Sequence, residues 1–129
     1  MISIDGWLER IIGIPGAQRA TLVDGASGVA IAAAGQHDVL DEQEDAVVTA
    51  DVVRSILTCP ALVTGPGDDV TEIIVCGTRG YHLLNTVNGD FDERLFVHVL
   101  LHLDTGNLAM ARHRLRGILS EFTGDGYGQ

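Results

Sequence analysis

Three histidines, His82, His98 and His102, stand in two stretches of mainly apolar residues, and Cys76 precedes the first of them by six positions. Residues of these types become metal ligands, general bases or nucleophiles when they converge, so their spacing decides what chemistry is open to the chain. His98 and His102 would share one face of a strand, but four residues at strand rise set them about 13 Å apart, too far to hold one ion. His82 can lie opposite one of them, yet no third ligand follows at a suitable spacing. Hydrogen-bonded histidines under a helix or at the sheet surface are the expectation. Cys76 and His82 can be posed as thiol and base across a hairpin, but no residue is placed to orient the base or hold an oxyanion. Gly25-Ala26-Ser27-Gly28 misses the G-x-S-x-G nucleophile elbow by one residue, which leaves Ser27 as a turn residue.

The sequence has no lysine. A Walker A loop, a protein kinase and Schiff-base or pyridoxal chemistry each need one, so these enzyme classes are removed together. We expect no catalytic residue, no metal and no cofactor. Eighteen acidic residues against eight arginines give a net charge of -10, which opposes the phosphate backbone of DNA or RNA. Arg112, His113, Arg114 and Arg116 form the one basic cluster, and the acidic run from Asp38 to Asp51 is its counterpart. Both read first as solvated faces, with Arg112, Arg114 and Arg116 as a secondary partner contact.

The elements that must position these residues follow from periodicity. Apolar Ile4, Trp7, Leu8, Ile11 and Ile12 mark one face of a first helix, capped by Ser3 and ended by Ile14-Pro15-Gly16. Strands are expected over 18–24 and 29–34. Asp38, Asp41, Glu42, Glu44 and Asp45 lead into a second helix reaching about Cys59, and they suit the positive end of its dipole. Strands over 70–76, 81–87 and 94–103 follow, with turns at Thr78-Arg79-Gly80 and Asn88-Gly89-Asp90. The last helix is expected from a cap at Asp104 or Thr105 to about Phe122, with Leu108, Ala111, Leu115, Ile118, Leu119 and Phe122 as its stripe. We expect one domain over 1–123 and a flexible tail over 124–129.

The last strand carries Leu95, Val97, Val99, Leu101 and Leu103 on one face and Phe96 and Leu100 on the other. A strand apolar on both faces is central and covered on both sides. The expected fold is therefore a three-layer α/β/α sandwich around a five-stranded, mainly antiparallel sheet, in the order helix-strand-strand-helix-strand-strand-strand-helix. In the second helix Ala46, Val48, Ala50, Val52, Val53, Ile56, Leu57 and Cys59 fill an arc of roughly 200°, about twice what docking on a sheet requires. The surplus predicts a homodimer, in which one edge of the arc faces the sheet and the other the second copy, the alternative being a loop of the chain that covers it. Sequence does not choose between the edges. At 129 residues and 46% hydrophobic the chain can build one core without a disulfide or metal. Cys59 and Cys76, in apolar surroundings, are expected as buried free thiols in a reducing cytoplasm. No stretch approaches the ~20 apolar residues of a membrane helix, and the start lacks a basic leader, so a cytoplasmic protein away from membranes is expected.

The run Ile14-Pro15-Gly16-Ala17 into Ala20-Thr21-Leu22-Val23-Asp24, then Gly28 and a small-residue strand ending in Gly35, resembles the opening of roadblock/dynein light chain domains. Tyr81-His82-Leu83-Leu84 and the closing segment from Leu103 to Arg112 resemble the actinobacterial versions. The likeness covers about Trp7 to Ile118 and rests on the order of the motifs more than on any one of them. It implies a profilin-like sheet with the first and third helices on one face and the second on the other. It also implies a homodimer joined along the middle strand and second helix, with Ile73 joining Ala46, Val48, Ala50, Val52, Val53, Ile56 and Leu57 in the interface. Bacterial members are described as non-catalytic regulators or scaffolds of Ras-like small GTPases, often beside a sensor-kinase-like protein. The alternative is a small-molecule-sensing or general protein-interaction domain of profilin-like fold, whose signature would be a cavity between sheet and helix.

Overall fold

In the computed structural model, which describes residues 3–36, 42–67, 70–87 and 95–125, the Ser3 hydroxyl accepts the Gly6 N–H at 3.0 Å and starts α1 (Ile4–Ile12). Trp7, Leu8 and Ile11 fall on one side of that helix and are buried. The chain then turns through Gly16, whose φ of +88° favours glycine. A Cβ there would lie 2.5 Å from the Cα of Gly106, so the turn and the start of the last helix pack backbone to backbone.

β1 (Ala17–Asp24) and β2 (Val29–Gly35) form a hairpin, followed by α2 (Glu42–Leu57), β3 (Glu72–Cys76), β4 (Gly80–Thr86), β5 (Leu95–His102) and α3 (Leu108–Asp125). The sheet order is β2-β1-β5-β4-β3 and all four pairings are antiparallel. β5 is central, as its two apolar faces require. β3, the middle strand in sequence, lies at an edge.

Alternation along the strands splits the core in two. Leu22, Leu83, Val97, Val99 and Leu101 face α1 and α3, packing with Trp7, Leu8, Ile11, Ala111, Leu115 and Leu119. On the opposite face Val23, Ala30, Leu84 and Phe96 meet Ala46, Ala50 and Val53 of α2. The result is a three-layer α+β sandwich with α2 alone on its side.

Several boundaries differ from the expectation. α3 is capped by Asn107, whose Oδ1 accepts the Met110 N–H at 2.9 Å, and not by Asp104 or Thr105. The reason is local: the His102 ring takes the N–H groups of Asp104 and Thr105, and the His102 carbonyl takes that of Gly106. These form a closed turn before the helix can begin. α3 continues to Asp125, past the expected end at Phe122, while α2 ends at Leu57 and β3 begins at Glu72. The Asn88-Gly89-Asp90 turn, Arg94, Asp38, Asp41 and residues 126–129 lie outside the described residues.

Candidate interaction surface

The second helix separates into two sides. Ala46 and Ala50 are each 2% exposed and Val53 4%, all three seated on the helix's own sheet, with Leu57 partly buried beside them. Val48 and Val52, on the far side, are 56% and 50% exposed, and Ile56 is half-buried. Sheet docking therefore uses the Ala46–Ala50–Val53 edge of the arc. Those three residues of the interface expected from sequence are buried against the chain's own sheet, and Val48 and Val52 are its exposed members.

α2 packs chiefly over β2 and β1, and among the described residues no other helix lies on this face of the sheet. There, alternation and register place Ile73 and Val75 of β3, His82 of β4 and Leu100 of β5. Val75 is 47% exposed. Val48 and Val52 lie on the side of α2 turned away from its own sheet, and β3 is the edge strand of the sheet. The two sheet edges differ. At β2 the side-chain amide of Gln43 accepts the Ala30 N–H and donates to the Ala30 carbonyl, both at 3.1 Å, occupying backbone that an incoming strand would need. β3 has β4 on one side and, among the described residues, no element on the other.

His82 and His98 do meet. His82 Nδ1 and His98 Nε2 are 2.9 Å apart, so one ring donates and the other accepts, which ties their tautomers together. The Arg19–Asp45 ion pair, at 3.1 Å, lies on the same face. Burial, then the charges of His82 and Arg19, push His98 down to about 4. Burial and Arg19 lower His82 as well. Both rings are neutral at pH 7. His102 is committed to the turn after β5. No group of three or more His, Cys, Asp or Glu able to hold a metal occurs among the described residues. Cys76 pairs with Tyr81 and His82 with Val75, so alternation sends the thiol and the imidazole to opposite faces of the sheet. Ser27 stays in its turn and accepts the Val29 N–H.

The basic cluster of α3 is divided. Arg112 and Arg116 both reach the carboxylate of Glu72, at 2.5 and 3.3 Å, while Arg114 is exposed with no ion pair among the described residues. Nothing in the sequence pointed to Glu72, which is 40 residues from Arg112 and acquires its partners only through the tertiary fold. An open cleft of about 300 Å³ lies beside this network, lined by Thr71, Glu72, Asn85, Arg116 and Ser120 among others. A second, of about 400 Å³, runs between the end of α1 and α3 and is lined by Arg10, Arg114 and Glu121 with apolar neighbours. No helix among the described residues is long and apolar enough to cross a membrane.

No family model matches the sequence, and none of the curated proteins compared with it does. Solved structures do match. Myxococcus xanthus MglB superposes with a TM-score of 0.78 at 22% identity, over 92% of this chain and 89% of that one. The gliding protein MglB of Thermus thermophilus gives 0.73 at 16% identity, over 92% and 84%. A Roadblock/LC7 domain from Streptomyces avermitilis gives 0.69 at 15% identity, over 95% and 96%. With its antiparallel order β2-β1-β5-β4-β3 and its helices split two and one across the sheet, the chain has the roadblock/LC7 fold.

Proposed function

We propose that the chain is a non-catalytic, cytoplasmic, homodimeric regulator or scaffold that binds a Ras-like small GTPase in bacterial signalling, with a sensor-kinase-like protein as a further partner. The observation that carries the dimer is the partly covered sheet face. Val48, Val52, Ile56 and Val75 leave apolar surface, and the outer side of the edge strand β3 is open among the described residues. Gln43 blocks β2 against the same use. Pairing β3 with its copy and packing the outer side of α2 on its symmetry mate would bury that surface in one step. The dimer interface then comprises Val48, Val52, Ile56, Leu57 and Ile73. The GTPase assignment rests on the sequence resemblance together with the fold. Arg114 is the member of the basic cluster left for a partner contact.

The test is a calorimetric titration of the chain into a Ras-like GTPase encoded in the same genome, loaded with a non-hydrolysable GTP analogue and separately with GDP. The reading expects binding by the wild type and a loss of at least tenfold in affinity for the Val52→Arg monomer. No binding in either nucleotide state would remove the GTPase assignment. A small-molecule sensor is the second reading. It is favoured by the cleft between sheet and α3, whose neighbour Asn85 holds a buried Oδ1 without a hydrogen-bond partner. That cleft is at the lower limit of ligand-pocket size, roughly 300 Å³, and its principal acid is already taken by two arginines.

A further inference from the structure

Glu72 is the first residue of β3, the edge strand of the proposed interface, and its side chain lies on the α3 side of the sheet. Five hydrogen bonds converge on that one carboxylate. Arg112 Nε donates to both oxygens at 3.1 Å, Arg112 Nη2 donates to Oε1 at 2.5 Å, Arg116 Nη2 donates to Oε1 at 3.3 Å, and Asn85 Nδ2 donates to Oε2 at 3.3 Å. Asn85 is the residue directly across from Glu72 on β4. The Glu72 side chain is only 11% exposed. Arg112 and Arg116 are four residues apart on α3, one turn, so both reach the same point from a single face.

β3 needs such a tie. It is five residues long and, among the described residues, has a strand on one side only. Its inward chain Ile74 packs against the α1/α3 core, but Val75 and Cys76 are exposed. A short edge strand with so much of its length in solvent is held weakly by its ladder alone. The charge-assisted bonds from α3 fasten the end at which the strand begins, and a bidentate guanidinium fixes direction as well as distance.

We infer that Glu72, gripped by Arg112 and Arg116, is a positioning residue that holds the outer edge of β3 in register for pairing with a second copy, and that this part of the basic cluster acts through β3. The inference rests on the dimer reading above for its consequence, but the clamp itself is testable without a dimer. In sedimentation equilibrium, Glu72→Gln and Arg112→Ala should each raise the dimer dissociation constant about tenfold or more, and the double variant should be little worse than either single one. Unchanged dissociation constants, or fully additive effects, would overturn the assignment. In parallel, amide hydrogen exchange is measured on Val52→Arg with and without Glu72→Gln. Exchange over residues 73–76 should quicken about tenfold while β1 and β5 keep their rates. Unchanged exchange in β3 would overturn the clamp. So would an equal acceleration in every strand, because Glu72 would then serve only overall stability. Should the wild type be monomeric at all concentrations, the dimer reading fails by itself, and the same exchange comparison on the wild-type background decides the clamp.

Discussion

Placing an arginine at Ala50 or at Val52 should have opposite consequences, although the two positions are two residues apart on α2. Ala50 is 2% exposed, under the helix, where its cluster includes Val23, Ala30, Phe96 and Val53. A guanidinium there has no carboxylate in that cluster, and an unpaired buried charge costs on the order of 3–5 kcal/mol. Its added volume, in a site sized for a methyl group, costs about 1–3 kcal/mol more. Domains of this size have roughly 5–15 kcal/mol of stability in total. At about 4 °C per kcal/mol, Ala50→Arg should lower the melting temperature by roughly 15–30 °C or leave the chain unfolded. Val52 is half exposed, so Val52→Arg leaves its charge in water in the monomer, where surface changes stay within about 0.5 kcal/mol. Any further loss of melting temperature should be concentration-dependent, because it comes from the missing partner. Thermal melts followed by circular dichroism at two protein concentrations measure both variants. An Ala50→Arg variant melting within about 3 °C of wild type, less than the shift of a single kcal/mol, would refute the placement of α2 on the sheet.

Acidification should weaken the fold through His98. His98 falls to about 4 in the folded chain against an ordinary 6.5, so the unfolded chain binds more protons between those values. Stability is therefore level above about pH 6.5 and falls as the pH drops toward 4, by about 3 kcal/mol at 1.36 kcal/mol per unit. His98→Asn should flatten that limb in urea titrations, and an unchanged slope would count against the buried neutral ring. Glu72 is held below the usual carboxylate range, chiefly by its bonds to Arg112, so its contribution is lost only at lower pH, below about 4.5. Gln43→Leu removes the amide that satisfies Ala30. It should cost about 1–3 kcal/mol and open β2, with faster aggregation by light scattering as the second readout. Equal aggregation and equal stability would show that Gln43 does not guard the edge.

The fold was legible because its signals are local and periodic. Alternation with apolar residues on both faces marked β5 as central, and the spacing of Trp7, Leu8 and Ile11 marked α1. The width of the α2 arc was legible too, but not its orientation. Ala46 and Ala50 are small, and close approach of helix to sheet selects them over Val48 and Val52 only once Phe96 and Leu84 are in place beneath. The interaction surface was harder to read for the same reason. Glu72 and Arg112 are far apart in sequence, and neither differs locally from a solvated charge. Gln43 likewise gains its role only in the fold, which brings it to Ala30, 13 residues earlier. The start of α3 was misplaced because Asp104 and Thr105 are good caps by type, whereas the His102 ring competes for their N–H groups.

The central claim, that the outer side of α2 and the open edge of β3 join two copies, is tested most directly by sedimentation equilibrium of the wild-type chain at tens of micromolar. The account predicts a mass near twice the 13.7 kDa of one chain, reverting to one chain in Val52→Arg while its circular dichroism spectrum is kept. A wild type that stays at a single chain's mass across that range, or a Val52→Arg variant as dimeric as the wild type, would contradict it.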